Sequence, residues 1–231
     1  MHGRTLQSEI EDRGFAICPG VVTAGSLKDL RDQVEPLLEG RAGLRNALAH
    51  SPACHELATG GRLLTVALEV LGAGARPVKA TIFEKSPDAN WKVPWHQDVA
   101  IAVENRVDVP GFGPWSVKDG VQHVEPPTEI LESMVAIRLH LDDTPIENGA
   151  LRVVPGSHRL GRLSSAEIQA VRREGEVVDC PVEAGSAMLL RPLLLHASSQ
   201  SREPSHRRVL HVEYSAASLP GGLEWVRIDL K

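Results

Sequence analysis

A mainly β jelly roll (a double-stranded β-helix, cupin-like) with N-terminal helices packed outside it is the fold class the sequence predicts, from three observations. Residues 1–75 carry mostly helical periodicity. From about Val78 the texture changes to seven or eight short, β-branched apolar runs, and Pro, Gly, Asn and Asp punctuate those runs as turns.

In the helical front, Leu27, Leu30, Val34 and Leu37-Leu38 recur at helical spacing after Ser26, the expected N-cap, and a second helix over 63–71 is closed by Gly72. Strands are expected over 79–83, 96–103, 134–141, 151–154, 177–182, 187–195 and 207–214. One later helix, 165–173, is introduced by Ser164 with Glu167 in capping-box spacing. The stretch 104–128, with Val109-Pro110-Gly111-Phe112-Gly113-Pro114-Trp115 at its centre, reads as a long loop that serves as a lid, or else as an ordered insertion covering a sheet edge. Without repeats, low-complexity tracts or a linker-like shift in composition, 1–231 is expected to be a single domain whose jelly-roll core is 76–231.

With 231 residues, 42% of them hydrophobic and 24% charged, the chain can bury one large core. Net charge is −5, and the basic groups Arg172-Arg173 and Arg207-Arg208 are pairs rather than tracts, which argues against nucleic acid as a partner. Cys18, Cys54 and Cys180 are widely spaced and form no CxxC pair, so neither a disulfide framework nor a thiolate zinc site is indicated. Residues 1–13 are polar, and no apolar run approaches membrane-spanning length. A cytoplasmic protein without membrane contact is expected, while oligomeric state is left open.

The chemistry concentrates in Trp95-His96-Gln97-Asp98 and in His196. On a strand, His96 and Asp98 project to one side, and His196 shares a face with Ser198 after the apolar Leu193-Leu194-Leu195. Two imidazoles and one carboxylate bind Fe(II) on one face and leave the other open. The same donors plus water satisfy a catalytic zinc hydrolase, and a non-catalytic barrel that merely binds a metal or ligand is a third reading. Arg207, Val209, His211 and Glu213 share one face of the last strand, and Arg208, Leu210, Val212 and Tyr214 the other. Apolarity alone turns Arg208 inward, but both faces of such a sheet can be covered, so periodicity does not choose between the two arginines.

Several motifs are spread along most of the chain: Asp12-Arg13-Gly14-Phe15-Ala16, Glu84-Lys85-Ser86-Pro87, Trp95-His96-Gln97-Asp98, the run from Asn148-Gly149 to Ser157-His158, and Arg191-Pro192-Leu193-Leu194-Leu195-His196-Ala197-Ser198. Together they resemble the phytanoyl-CoA dioxygenase (PhyH) family of Fe(II)- and 2-oxoglutarate-dependent oxygenases. The resemblance implies His96, Asp98 and His196 as iron ligands, with 2-oxoglutarate and O2 as cosubstrates. It implies that Arg207, eleven residues after His196, holds the 2-oxoglutarate C5 carboxylate in preference to Arg208, with Ser198 beside it. Thr81 and Arg138 match strand positions that face the cosubstrate in similar enzymes; Arg138 replaces an aromatic residue of the family's namesake and is expected to touch 2-oxoglutarate or an acidic substrate. Trp91 and Trp115 are expected along the approach of a small-molecule substrate. Asp98 stands where halogenating relatives carry a small residue, which implies hydroxylation with release of succinate and CO2. The zinc reading leaves the spaced arginine without a task.

Overall fold

A computed structural model gives the architecture and describes residues 5–39, 41–87, 89–202 and 206–230. The largest sheet is antiparallel and six-stranded, in the order β1 (Phe15–Cys18), β11 (Ala187–Leu190), β8 (Met134–His140), β13 (Arg207–Ser215), β3 (Arg76–Lys85) and β2 (Gly43–Arg45). A second sheet has the order β10 (Val178–Cys180), β9 (Leu151–Val153), β12 (His196–Ser198) and β4 (Val93–His96). A third, smaller sheet joins β5 (Ile101–Val103), β7 (Val121–Val124) and β6 (Trp115–Lys118). The two larger sheets form the jelly roll.

Alternation along β13 explains how the layers stack. Leu210, Val212 and Tyr214 face outward, onto α1 (Leu6–Arg13), α2 (Ala24–Leu38), α3 (Pro52–Thr59) and α4 (Arg62–Leu71), in a cluster with Ile82, Ile137, Leu139, Val34 and Val66. Each such fully buried aliphatic side chain contributes about 1.5–3 kcal/mol. The Tyr214 hydroxyl, carried into this apolar layer, donates to the Ala58 carbonyl at 3.0 Å. The opposite set, Arg207, His211 and Glu213, faces the space between the two sheets. Part of that space is filled by Phe15, Ala136, Leu151, Val153, Met188 and Leu190. Over β3 and β13 it stays open as a polar cavity.

Helix α4 and its Gly72 cap match expectation, as does α6 (Ser165–Glu174) with its Ser164/Glu167 capping box. Helix α2 starts earlier than the sequence suggested. Thr23, not Ser26, is its N-cap, accepting from the Ser26 N–H, while the Ser26 hydroxyl meets that of Thr23 at 3.0 Å. The helical front also contains β1 and β2, each an edge of the main sheet and too short to show a period.

Two strand expectations and one loop expectation need correction. The run 96–103 is two strands in different sheets: β4 ends at His96, and an irregular segment leads to β5. The run 187–195 stops at Leu190, where Arg191 begins a turn that the Leu194 N–H closes on the Arg191 carbonyl. The stretch 104–128 is not a plain loop, because it contains the β6–β7 hairpin. Lys118 pairs with Val121 in that hairpin, leaving Asp119 and Gly120 as a two-residue turn, both at positive φ, 49° and 78°. The small sheet packs through Ile101, Val103 and Val124 on Val78, Met134 and Trp225. Among the described residues no helix is long and apolar enough to cross a membrane.

Candidate metal centre and anion pocket

The second sheet brings the two histidines together. His196 on β12 is the register partner of His96 on β4, and their rings lie 4.2 Å apart between centroids. Each ring is oriented by its own backbone: His96 Nδ1 lies 2.9 Å from the Pro94 carbonyl, and His196 Nδ1 lies 2.8 Å from that of Leu194. A carbonyl only accepts, so both Nδ1 atoms carry the proton and both Nε2 lone pairs are free to coordinate.

Asp98 reaches the same point by a different route. Past the end of β4 its N–H donates to the Pro192 carbonyl at 2.8 Å. The preceding Gln97 side chain is buried and bonds the carbonyls of Leu193 (2.7 Å) and Gly161 (2.9 Å) and the N–H of Leu163 (2.8 Å). So Gln97 turns away from Asp98, as strand alternation would have it, though the segment is not a strand. The Asp98 carboxylate stands 3.7 Å from His96 Nε2 and 3.8 Å from His196 Nε2. One donor atom from each of the three residues lies within 4.8 Å of the others, the only such metal-competent group among the described residues. Burial pushes the His196 imidazole down to about 4, which keeps it neutral, as a metal ligand must be. Burial raises Asp98, but its histidine neighbours and Lys79 outweigh that and hold the carboxyl well below the usual carboxylate range. The donor set therefore fits a divalent transition metal. His196 is buried, whereas His96 and Asp98 keep 36% and 31% of their side chains exposed, so the far side of the site opens into the cavity.

That cavity, about 480 Å³, is of the size that takes small molecules. Its lining includes Thr81, Trp91, Arg138, His196, Ser198 and Arg207 together with His96 and Asp98, so eight of the expected site residues converge. Trp115 is not among them. It packs in the cluster around Ile101 and Val124, under the Arg106 guanidinium at 5.4 Å, and serves to anchor the hairpin.

The two neighbouring arginines of β13 part company here. Arg208 faces the helices, where Nε and Nη2 each reach an Asp142 carboxylate oxygen at 2.9 Å. Arg207 points into the cavity. Its Nη1 donates to the Gly149 carbonyl and its buried Nε has no hydrogen-bond partner. Burial and the charge of Arg138 push it down to about 9, still protonated at neutral pH. Arg138, also buried, donates from Nη1 to His211 Nδ1 at 3.1 Å, and its Nε is likewise unpartnered.

Sequence reasoning gave no role to Lys85, His211, Glu213 and Lys79. Lys85 is buried directly behind Ser198, donating to the Ser198 hydroxyl (3.1 Å) and the Ser199 carbonyl (2.6 Å). A signal exists, since Lys79, Thr81, Phe83 and Lys85 share one face of β3 and the family resemblance turns Thr81 toward the cosubstrate. Lys79 and Glu213 pair at 2.6 Å on the cavity wall.

The description phytanoyl-CoA dioxygenase (PhyH) belongs to the family model that matches residues 10–209. A curated relative from Aspergillus calidoustus, named iron/alpha-ketoglutarate-dependent dioxygenase ausU, is 26% identical over 214 residues, spanning 89% of this chain and 68% of its own. Among solved structures, the non-heme alpha ketoglutarate dependent carbocyclase SnoK from nogalamycin biosynthesis superposes with a TM-score of 0.73 at 19% identity, over 92% of this chain and 83% of its own. AviO1 from Streptomyces viridochromogenes gives 0.70 at 24% identity, over 94% and 96%. HygX from Streptomyces hygroscopicus, solved with nickel and 2-oxoglutarate bound, gives 0.64 at 20% identity, over 89% and 84%. At these identities the solved structures speak to the fold, and the family match over most of the sequence speaks to descent: the chain belongs to the phytanoyl-CoA dioxygenase family.

Proposed function

We propose that the protein is an Fe(II)- and 2-oxoglutarate-dependent dioxygenase that hydroxylates a small organic molecule, with 2-oxoglutarate and O2 converted to succinate and CO2. The observation that carries this reading is the presence, in one cavity, of a three-donor metal site open on one side and of Arg207, a buried guanidinium with no carboxylate partner among the described residues. A relative named as an iron/alpha-ketoglutarate-dependent dioxygenase and a fold neighbour holding nickel and 2-oxoglutarate support it.

His96, Asp98 and His196 would hold Fe(II), which when bound supplies the oxygen chemistry. The chain's own residues bind and orient. Arg207 takes the distal carboxylate of 2-oxoglutarate by charge-assisted hydrogen bonds, and the Ser198 hydroxyl adds to that contact. Lys85, behind Ser198, adds positive charge to the same end. With that end fixed, the 2-oxo acid end is directed toward the triad, and Thr81 and Phe83 wall the path between them. Trp91 lines the cavity beside this end, 5.7 Å from Lys85 Nζ to the ring centroid, where it can meet substrate. The carboxylate at position 98 occupies the place a halide would need, which supports hydroxylation over halogenation. Cys18, Cys54 and Cys180 are buried free thiols, which suits action in the reducing cytoplasm.

A zinc hydrolase would use the same three donors, yet it gives Arg207, Lys85 and Arg138 no ligand to neutralise. The test is turnover with each metal. Fe(II)-loaded protein is expected to release succinate and consume O2 in the presence of 2-oxoglutarate, with Zn(II) inactive; hydrolytic activity with Zn(II) and no succinate from the iron form would reverse the choice.

A further inference from the structure

The cavity carries more positive charge than one 2-oxoglutarate accounts for. Although the chain as a whole is acidic, at −5, the lining holds Arg45, Lys79, Lys118, Arg138 and Arg207 against only Asp98 and Glu213. Lys79 is matched by Glu213 at 2.6 Å and Arg45 by Asp119 at 2.7 Å, and Lys118 lies in solvent at the mouth. Arg207 and Arg138 remain, both buried and neither paired with a carboxylate among the described residues.

Arg138 is held ready rather than satisfied. It sits in a cross-strand row over the main sheet, Arg45 opposite Thr81, Thr81 opposite His211, and His211 opposite Arg138. A guanidinium has no acceptor, so the bond from Arg138 Nη1 to His211 Nδ1 fixes His211 as the acceptor there and places its ring proton on Nε2. Glu213, in turn held by Lys79, receives that side of the ring at 3.4 Å. The chain Lys79, Glu213, His211, Arg138 is thus oriented end to end, and the face of Phe83 lies 5.6 Å from the guanidinium carbon. One buried N–H of this rigid group, on Nε, has no partner. Leaving such a donor stranded costs about 1–3 kcal/mol, and more for a charged group, which a bound acceptor removes.

We propose that Arg138 is a specificity-determining residue that binds an anionic group, a carboxylate, of the oxidised substrate. This inference rests on the 2-oxoglutarate reading above: the two carboxylates of that cosubstrate are taken by Arg207 and by the metal, and Arg138 is the cation left over. Arg138 lines the same cavity as His96, Asp98 and His196 and as Arg207. An acid bound there sits within the metal's surroundings. Lys118, the cation left at the mouth once Arg45 pairs with Asp119, draws anions inward.

The test uses Ni(II)-loaded protein saturated with 2-oxoglutarate, titrated by ligand-observed NMR with hexanoate and benzoate and with hexanamide and benzamide. Wild type is expected to bind each acid at least tenfold more tightly than its amide. Arg138→Gln should abolish that preference while changing 2-oxoglutarate affinity by less than threefold, and Arg138→Lys should retain part of it, which guards against a folding defect in the glutamine variant. Acids and amides that bind alike, or not at all, overturn the proposal. So does a tenfold loss of 2-oxoglutarate affinity in Arg138→Gln, which would move Arg138 to the cosubstrate. If wild type with metal fails to bind 2-oxoglutarate, the oxygenase reading itself falls, and the acid-against-amide comparison without cosubstrate still decides whether Arg138 is an anion site.

Discussion

Lys85 and Arg207 stand directly opposite each other on β3 and β13, both buried. Like charges facing across a ladder destabilise it, so this end of the cavity is poised to take an anion. Burial first, then Arg207 and Arg138, push the Lys85 ammonium down to about 7, while Arg207 stays charged at neutral pH. An anion beside Arg207 favours protonated Lys85, and the free protein sheds that proton as pH rises through about 7. The affinity for 2-oxoglutarate should therefore be full below that pH and weaken above it, by up to about tenfold per unit. Groups facing Lys85 are Arg207, Arg138, Ser198, the Ser199 carbonyl and the Trp91 ring, and none of them is a carboxylate. Titrations of metal-loaded protein between roughly pH 6.5 and 8.5 check this; Lys85→Met should bind more weakly and flatten the profile.

Arg207 and Arg208 predict opposite phenotypes. Arg207→Ala should weaken 2-oxoglutarate binding by about ten- to a hundredfold, the usual worth of a charge-assisted contact of about 1.5–3 kcal/mol, with little change in stability. Arg208→Ala takes the guanidinium from Asp142, leaving it Arg31 at 3.2 Å and the backbone N–H of residue 208 at 2.9 Å. About 3 kcal/mol of stability should be lost, the low end for breaking a buried pair, with cosubstrate affinity unchanged. Chemical denaturation and a binding titration on both variants separate the two.

These two arginines also mark what was legible in the sequence. The alternation along β13 correctly grouped Arg207 with His211 and Glu213, but which group faced the cavity depends on the layer beyond the sheet. Because α1 to α4 cover the outer face, the apolar set Leu210, Val212 and Tyr214 belongs outside, and the polar set lines the interior. The motifs nominated His96, Asp98 and His196, which the fold brings together, while the way Asp98 arrives there was hidden. Strand pairing ends at His96, and it is the tertiary bonds of Gln97 and the Asp98 N–H that steer the carboxylate. The hairpin within 104–128 did have a local signal, Asp119-Gly120, a dipeptide suited to a two-residue turn with both φ angles positive. Proline and glycine around it obscured the short strands. For Lys85 the only hint was the strand face it shares with Thr81, because a buried cation is defined by what surrounds it.

Gln97 should matter for metal binding without touching the metal. Its amide joins Gly161, Leu193 and Leu163 to the segment that carries Asp98. Gln97→Ala is expected to lower metal affinity by about tenfold, in line with other residues that hold ligands in place, and to cost about 1–3 kcal/mol from the stranded backbone groups. Competitive chelation and thermal melting measure the two effects.

Gly149 supports the anion end by having no side chain. At φ +70°, a Cβ there would lie 2.6 Å from the Ser199 carbonyl oxygen, 3.4 Å from Lys85 Nζ and 3.5 Å from Arg207 Nη1. Backbone has to give way, and it is the backbone that Lys85 bonds. Gly149→Ala should destabilise the fold by about 1–3 kcal/mol and weaken 2-oxoglutarate binding at least tenfold, with the metal affinity of the triad nearly intact, as parallel titrations with metal alone and with cosubstrate would show.

Anaerobic addition of Fe(II) and then 2-oxoglutarate, followed by visible difference spectroscopy, asks most directly whether His96, Asp98 and His196 share one ion beside a bound 2-oxo acid. Wild type should develop the weak charge-transfer band of a chelated 2-oxo acid, saturating at one equivalent of iron, and His96→Ala should not. A flat difference spectrum from folded, iron-loaded wild type, or an undiminished band in His96→Ala, would contradict the metal centre described here.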